Sequence, residues 1–261
     1  MKPSIAILGA LGALGSATVD LFRRVGFEVE PYDEPRGIGT REAVNNCGFA
    51  FVCVPTPSYP GGECDTSVVD EVVSWCEADI VVIKSTVSVG TSMRLASMYS
   101  KRVVFQPEFG PGETPDHPFR DLGSIRWLIL GGHPRDTKAV VELYQSVYRS
   151  DCVIQQTTSQ TAEFVKYMEN CYLATKVTFC NEMYDVAEAM GISYTEAREL
   201  WLLDPRMGRS HTFVHPVDRG FGGKCLPKDI AAFIEQARTL GAQPTLLEAV
   251  VAANARVRQG P

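Results

Sequence analysis

The stretch Ser4-Ile5-Ala6-Ile7-Leu8-Gly9-Ala10-Leu11-Gly12-Ala13-Leu14-Gly15 decides the fold of this chain. Its apolar start predicts a short buried strand, and the glycine-rich turn leads into apolar residues at helical spacing from Ser16 to Val25. A second strand is predicted from Phe27 to Tyr32, and it ends in Asp33, eighteen positions after Gly15. Strand, glycine turn, helix, strand and acidic residue in this order are typical of a βαβ unit that binds a dinucleotide.

The turn and the acidic residue predict how the dinucleotide is held. The N-terminus of the helix favours a pyrophosphate, and the Asp33 carboxylate suits the adenosine ribose hydroxyls, so NAD is favoured over NADP. Arg36 lies close enough to weaken that preference. Ala10 occupies the first glycine position of G-x-G-x-x-G, which leaves a cofactor-free βαβ turn as the alternative. The cofactor contacts predicted here are Leu11, Gly12, Ala13, Leu14, Gly15, Asp33 and Arg36.

Strands and helices alternate through the first half of the chain. This order predicts a Rossmann-type, doubly wound parallel sheet of the α/β class, whose ligands lie at the carboxyl ends of the strands. The turns at those ends add Pro55, Thr56 and Thr86 to the predicted cofactor contacts. The further strands are predicted at Phe49–Val54, Ile80–Lys84, Val103–Phe105, Trp127–Leu130 and Cys152–Ile154.

From about residue 158 the pattern becomes wholly helical. A long helix is predicted from Ala162 to Met190, followed by helices at Tyr194–Leu203, Lys228–Leu240 and Thr245–Val257. We therefore expect an NAD-binding domain over residues 1–155 and an all-helical domain over residues 156–261. On the long helix Lys166 and Asn170 are four residues apart and share one face. Taken alone this pair is typical of a solvated face, but its neighbours are apolar.

Composition favours a soluble, cytoplasmic enzyme. The net charge of −6 and the lack of a basic block argue against nucleic acid as a partner. No apolar run is long enough to span a membrane, and the start of the chain lacks the apolar core of a signal peptide. The eight cysteines form no C-x-x-C pair and no zinc-binding spacing, so we expect free thiols and no metal site.

The decapeptide Gly220-Phe221-Gly222-Gly223-Lys224-Cys225-Leu226-Pro227-Lys228-Asp229 predicts a reactive cysteine. Neighbouring ammonium groups favour the thiolate, which is the nucleophilic form of cysteine. Pro227 fits the first turn of a helix that starts just after Cys225, and the N-terminus of a helix favours a negative charge as well. The alternative is a small buried cysteine in an ordinary loop rich in glycine and lysine.

Together these residues resemble the UDP-glucose/GDP-mannose dehydrogenase family of nucleotide-sugar 6-dehydrogenases. The resemblance implies oxidation of a sugar primary alcohol to a carboxylate with two NAD molecules, through a covalent thioester. It also implies that the helical domain forms a homodimer interface. The matching stretches follow the family's order: Gly9–Gly15 with Asp33, Val52–Pro57, Val82–Val87, Pro107–Phe109, Glu163–Asn181, Asp204–Gly208 and Gly220–Asp229.

The resemblance implies a role for each candidate catalytic residue. Cys225 matches the nucleophile that adds to the first-formed aldehyde. Lys166 and Asn170 match the pair that stabilises the alkoxide or oxyanion, and Glu108 matches a carboxylate that helps to hydrolyse the thioester. Thr86 and Asp229 match the pair that positions a water or assists proton transfer. The predicted substrate contacts are Phe221, Gly222, Gly223 and Arg219, with Arg206, Arg209 and His211 as further groups for an anionic ligand or, alternatively, as a solvated basic loop.

The chain departs from the family pattern in two places. Relatives usually carry a second glutamate four residues after the one at Glu108, where this chain has Gly112, and Glu113 is one residue late. Relatives also continue into a third domain that binds the substrate's nucleotide, whereas this sequence ends at Pro261. We expect a compact relative with a different substrate, a partner that supplies the missing part, or a fragment.

The predicted function is therefore NAD-dependent oxidation of a sugar, nucleoside or sugar nucleotide. Two other interpretations stay open. One is a two-electron hydroxy-acid dehydrogenase, which pairs a similar NAD domain with a helical domain but has no use for Cys225. The other is an NAD-binding subunit without turnover.

Overall fold

The computed structural model describes residues 2–110 and 121–259, and the chain falls into two compact units. The first unit comprises residues 1–57 and 64–166, and the second comprises residues 58–63 and 167–261. The units divide at Lys166 rather than at the expected boundary of residue 155, because the long helix belongs to both. The assignment of separate functions to the two domains stays a prediction.

The first unit is built on a seven-stranded sheet with the strand order β2-β1-β3-β4-β5-β6-β7. This order is that of a doubly wound sheet, and the predicted fold class is confirmed. The predicted strands all form, with ends that differ by a few residues. Their bounds are β1 Ile5–Leu8, β2 Val29–Tyr32, β3 Phe49–Val52, β4 Ile80–Ile83, β5 Val103–Phe105, β6 Trp127–Gly132 and β7 Val153–Thr157.

One strand pairing departs from the predicted parallel arrangement. Strand β6 runs antiparallel to β5, with Phe105 opposite Gly131, and β7 then pairs parallel to β6. A parallel pair would require a crossover, usually a helix, between β5 and β6. The sequence between them contains four prolines, at positions 107, 111, 115 and 118, and proline disfavours a helix interior.

The helices cover both faces of the sheet and then form the second unit. The residues of β1 alternate between two apolar clusters, with Ile5 and Ile7 in one and Ala6 and Leu8 in the other, so both faces of the strand are buried. The helices are α1 Ala13–Arg24, α2 Arg41–Asn45, α3 Ser67–Trp75, α4 Thr91–Tyr99, α5 Pro134–Tyr144, α6 Ser159–Ala189, α7 Tyr194–Trp201, α8 Leu226–Thr239 and α9 Thr245–Gln259.

The second unit has two small apolar cores of its own. Cys171 and Ala174 on α6 pack with Ile230 and Ile234 on α8 and with Val250 on α9. Further along α6, Cys180 and Ala187 pack with Tyr194 and Val214. Within residues 2–110 and 121–259, no helix combines the length and apolar character that a membrane span needs.

Candidate functional site

The glycine turn after β1 leaves no room for side chains. A Cβ atom on Gly9, whose φ is +78°, would lie 2.5 Å from the Cys53 carbonyl oxygen. A Cβ atom on Gly15 would lie 2.0 Å from the Gly9 carbonyl oxygen, so α1 can pack this closely on the turn only with glycine there. Gly12 caps α1 without a side-chain hydrogen bond. The first N–H groups of α1 lack intrahelical partners, which fits a pyrophosphate at this position.

Asp33 lies beside this turn, as the fingerprint predicts. Its side chain is buried, and Oδ2 accepts a hydrogen bond from the Leu11 backbone N–H at 3.1 Å. Arg36 reaches the same oxygen at 3.5 Å from an exposed position. The carboxylate therefore ties the end of β2 to the glycine turn, where a dinucleotide ribose would lie. Leu11, Ala13 and Leu14 belong to the same turn and first helical residues.

The turns after β3 and β4 lie together at one edge of the sheet, because Val52 is paired with Ile83. The Ser85 hydroxyl donates to the Val54 carbonyl oxygen at 2.7 Å, which joins the two turns. Thr56, which follows Pro55, is buried. The predicted cofactor contacts Pro55, Thr56 and Thr86 are thus brought to the same sheet edge.

Glu108 forms a buried ion pair that the sequence analysis missed. Its Oε2 atom lies 2.8 Å from Nζ of Lys84, and the two side chains are 9% and 1% exposed. Its Oε1 atom accepts from the backbone N–H groups of Phe109 and Gly110. The position of Lys84 directly after a fully buried strand could have indicated this ion pair, because buried lysines are almost always paired.

A second buried carboxylate, Glu163, connects α6 to the start of α4. Its oxygens accept from the backbone N–H groups of Gly90 and Ser92 at 2.6 and 2.9 Å. Burial raises the pKa of Glu163, an effect that these hydrogen bonds oppose. Lys166 follows one turn later and is itself buried, with Nζ 5.1 Å from the centre of the Phe109 ring. The alternative of a solvated Lys166 is therefore wrong.

In the second unit, Cys225 is the exposed N-cap residue of α8. The helix starts at Leu226 with Pro227 in its first turn, which confirms the predicted start. All eight cysteines are free thiols, and burial raises the pKa of Cys53 to about 11 and that of Cys171 to about 12. Those two thiols stay protonated at neutral pH, whereas Cys225 is open to a reaction partner.

Asp229 anchors a buried polar cluster one turn into α8. It is 1% exposed, and its Oδ2 atom accepts from Nδ2 of Asn170 at 2.5 Å. Nζ of Lys228, which was not among the predicted site residues, lies 2.6 Å from Oδ1 of Asp229. Asn170 is buried as well, so the alternative of a solvated Asn170 is also wrong.

Arg219 has protein partners on three sides. Its guanidinium donates to the Asn181 side chain and to Asp185 at 2.8 Å each, and it lies over the Tyr184 ring. The Phe221 side chain lies in an apolar core, and its backbone N–H and carbonyl oxygen are both hydrogen-bonded to Asn254. The remaining loop arginines are paired as well, Arg206 with Asp204 and Arg209 with Glu199. Their roles in substrate binding stay predictions.

The candidate residues fall in both units. Thr86, Glu108 and Lys166 belong to the first unit, and Asn170, Cys225 and Asp229 belong to the second. Glu113 lies outside the described residues. Among the residues that the structure does describe, no group of three or more His, Cys, Asp or Glu side chains could hold a metal ion.

Two family models match the chain. The NAD binding domain of the UDP-glucose/GDP-mannose dehydrogenase family matches residues 38–150, and its central domain matches residues 160–256. NAD is thus the cofactor of the first unit. Among curated proteins, UDP-glucose 6-dehydrogenase of Rhizobium meliloti is 31% identical over 227 residues, which are 82% of this chain and 51% of the relative. GDP-mannose 6-dehydrogenase of Pseudomonas aeruginosa is 28% identical over 82% of this chain and 52% of its own length.

Solved structures show the same likeness. A UDP-glucose dehydrogenase from Pyrobaculum islandicum superposes with a TM-score of 0.84 at 25% identity, over 98% of this chain and 68% of that chain. A Mycobacterium tuberculosis 3-hydroxyisobutyrate dehydrogenase, with a TM-score of 0.70 and 17% identity over 98% of this chain and 93% of that chain, shares the fold. This chain spans about half the length of the curated relatives it matches. The two family models cover most of its residues, and the chain belongs to the UDP-glucose/GDP-mannose dehydrogenase family.

Proposed function

We propose that this protein oxidises a primary alcohol of a sugar, nucleoside or sugar nucleotide to the carboxylate, through a thiohemiacetal and a thioester on Cys225. The observation that carries the proposal is the exposed Cys225 thiol at the N-terminus of α8, one turn before the buried Asp229, which contacts Asn170 of α6 and the partly buried Lys228. The exposed position lets an aldehyde reach the thiol.

In the first oxidation the alcohol loses a hydride from its carbon and a proton from its hydroxyl, and we assign Asp229 to accept that proton by way of a water. NAD, when bound, accepts one hydride in each of two oxidations. We assign Lys166 and Asn170 to the developing alkoxide, because an ammonium and an amide N–H both stabilise negative charge. The Cys225 thiolate adds to the aldehyde carbon, and the loss of a second hydride from that carbon leaves a thioester.

Hydrolysis of the thioester completes the reaction. Water attacks the acyl carbon, the C–S bond breaks, and the Cys225 thiolate is released with the carboxylate product. We assign Glu108 and Thr86 to this step in the first unit and Asp229 to proton transfer in the second. The net change is one alcohol, two NAD⁺ and one water giving one carboxylate, two NADH and three protons.

A substrate screen tests the proposal. NADH formation at 340 nm is measured with UDP-, GDP- and dTDP-sugars, free sugars and nucleosides. We expect turnover with at least one member of these classes. Reduction of NAD by a short-chain hydroxy acid instead would favour the two-electron interpretation, and NAD binding without turnover on any compound would favour a non-catalytic subunit.

The position of Asp33 predicts the cofactor preference. A carboxylate beside the ribose repels a 2′-phosphate, so we expect at least about tenfold tighter binding of NAD than of NADP, or about 1.4 kcal/mol. Calorimetry on the unmodified protein and on Asp33→Asn measures this preference, which Asp33→Asn should reduce. Asp121→Asn is the control, since Asp121 pairs with Arg24 on the surface. Equal affinity of the unmodified protein for both cofactors would refute the role of Asp33.

We further propose that the protein forms a homodimer through α6. Met168, Tyr172, Phe179 and Val186 recur along this helix, and Met190 follows its last residue; these five side chains are between 40% and 68% exposed. Such a run of exposed apolar side chains is typical of an interface. Sedimentation should give twice the chain mass, and Phe179→Glu should give a monomer. Met98→Glu, at an exposed methionine on α4, should leave the dimer intact. A monomeric unmodified protein would contradict the proposal.

A further inference from the structure

Two buried asparagines hold the backbone that leads into the nucleophile loop. Asn181 on α6 and Asn254 on α9 are 2% and 8% exposed. Oδ1 of Asn181 accepts from the Gly220 N–H at 3.1 Å. Oδ1 of Asn254 accepts from the Phe221 N–H at 2.7 Å, and its Nδ2 donates to the Phe221 carbonyl oxygen at 3.0 Å. We call these two side chains the amide clamp.

Both ends of each amide in the clamp are engaged. Asn181 also donates from Nδ2 to the Val177 carbonyl oxygen at 2.9 Å, and its Oδ1 accepts a second hydrogen bond from Arg219. The Asn254 side chain both accepts from and donates to the backbone of Phe221, as a residue of a neighbouring strand would. A buried amide that is hydrogen-bonded through both its oxygen and its nitrogen favours one arrangement, because a displacement leaves polar groups without partners.

Glycine at position 220 makes room for the Asn254 amide. The φ of Gly220 is +74°, and a Cβ atom there would lie 2.4 Å from Oδ1 of Asn254. Glycine is therefore required both for the backbone conformation and for the close approach of the amide. Glycine-rich segments lose much conformational entropy on ordering, and the three backbone hydrogen bonds of the clamp oppose that loss.

We propose that Asn181 and Asn254 are positioning residues for Cys225. The clamp fixes Phe221, four residues before the thiol, and α8 fixes the chain directly after it. The loop between them, Gly222 to Lys224, is thus held at both ends. A displacement of about 1 Å at a reacting atom is enough to lower a rate about 100-fold. This inference rests on the proposed function only in taking Cys225 as the nucleophile.

Two variants disturb the clamp from opposite sides. Asn254→Asp keeps an acceptor for the Phe221 N–H but turns a carboxylate oxygen toward the Phe221 carbonyl oxygen. Gly220→Ala pushes a methyl group against the Asn254 amide and supplies the same test if the first variant does not fold. Each has a matched control. Asn45 bridges Glu77 N–H and the Trp75 carbonyl oxygen in the first unit, and Gly241 has a φ of +81° with open space around it.

We expect exchange of the backbone amides at positions 220 and 221 to become at least about tenfold faster in both clamp variants. We expect kcat to fall at least about tenfold while the Kd for NAD changes less than twofold. Asn45→Asp and Gly241→Ala should leave all three quantities within twofold of the unmodified protein. This split separates positioning of the thiol from a general loss of structure.

Three results would overturn the proposal: exchange that is less than threefold faster, a kcat that falls less than threefold, or equal changes in the controls. If the unmodified protein oxidises none of the screened compounds, the proposed function fails, and the alkylation rate of Cys225 with iodoacetamide takes the place of kcat. A change of threefold or more in that rate then supports the clamp, and a smaller change overturns it.

Discussion

Cys225→Ala is expected to abolish formation of the carboxylate. Without the thiol no thiohemiacetal forms, and we expect the rate of the second oxidation to fall on the order of 10³-fold or more. Cys225→Ser should allow at most a slow first oxidation or a stalled adduct, because a hydroxyl lacks the nucleophilicity of a thiolate. The rates are measured as NADH formation, with the products separated by mass spectrometry.

The matched control is Cys152→Ala. Cys152 is a partly exposed free thiol in the first unit, outside the candidate site. Its replacement should leave turnover within twofold of the unmodified protein. Carboxylate formation at an unchanged rate in Cys225→Ala would show that the thiol takes no part in the reaction.

Lys84→Met is expected to destabilise the first unit strongly. It leaves the Glu108 carboxylate buried without its cation, and removal of one partner from a buried ion pair costs about 3–5 kcal/mol. Denaturant unfolding, followed by the near-ultraviolet signal of the aromatic residues in the first unit, measures the loss. The double variant Lys84→Met with Glu108→Gln should recover part of it, because the uncompensated charge is gone.

Lys138→Met provides the comparison for that loss. The pair between Lys138 and Glu142 is exposed on both sides, with 3.8 Å between the charged atoms. Exposed pairs of this kind contribute up to about 1 kcal/mol, so the variant should unfold almost like the unmodified protein. If Lys84→Met and Lys138→Met had equal effects, the ion pair at Glu108 would not be a structural element of the site.

The elements of the fold could be predicted from local sequence patterns. Buried apolar runs predicted the strands, helical spacing predicted α6 to α9, and the glycine turn with Asp33 predicted the first βαβ unit. The antiparallel direction of β6 could not be predicted in this way, because the apolar composition of a strand does not give its direction. Successive side chains point to opposite faces of the sheet in parallel and in antiparallel strands alike.

The contacts that organise the candidate site could not be predicted from local sequence patterns, because they join residues that are far apart in sequence. Glu163 and Gly90 are 73 residues apart in sequence, and Asn254 and Phe221 are 33 apart. Nothing in the spacing of an asparagine on a helix identifies the backbone group that it will contact. Lys84 and Lys228 lay inside quoted motifs, but their ion pairs with Glu108 and Asp229 were not predicted, because ion pairing depends on burial, which the motifs alone do not give.

The most direct test of the proposed four-electron oxidation is the number of NADH molecules formed per molecule of substrate consumed. With limiting substrate and excess NAD, we expect two NADH and one carboxylate, identified by mass spectrometry with one oxygen atom derived from labelled water. One NADH per substrate, with an aldehyde or ketone as the final product, would contradict the thioester mechanism on Cys225.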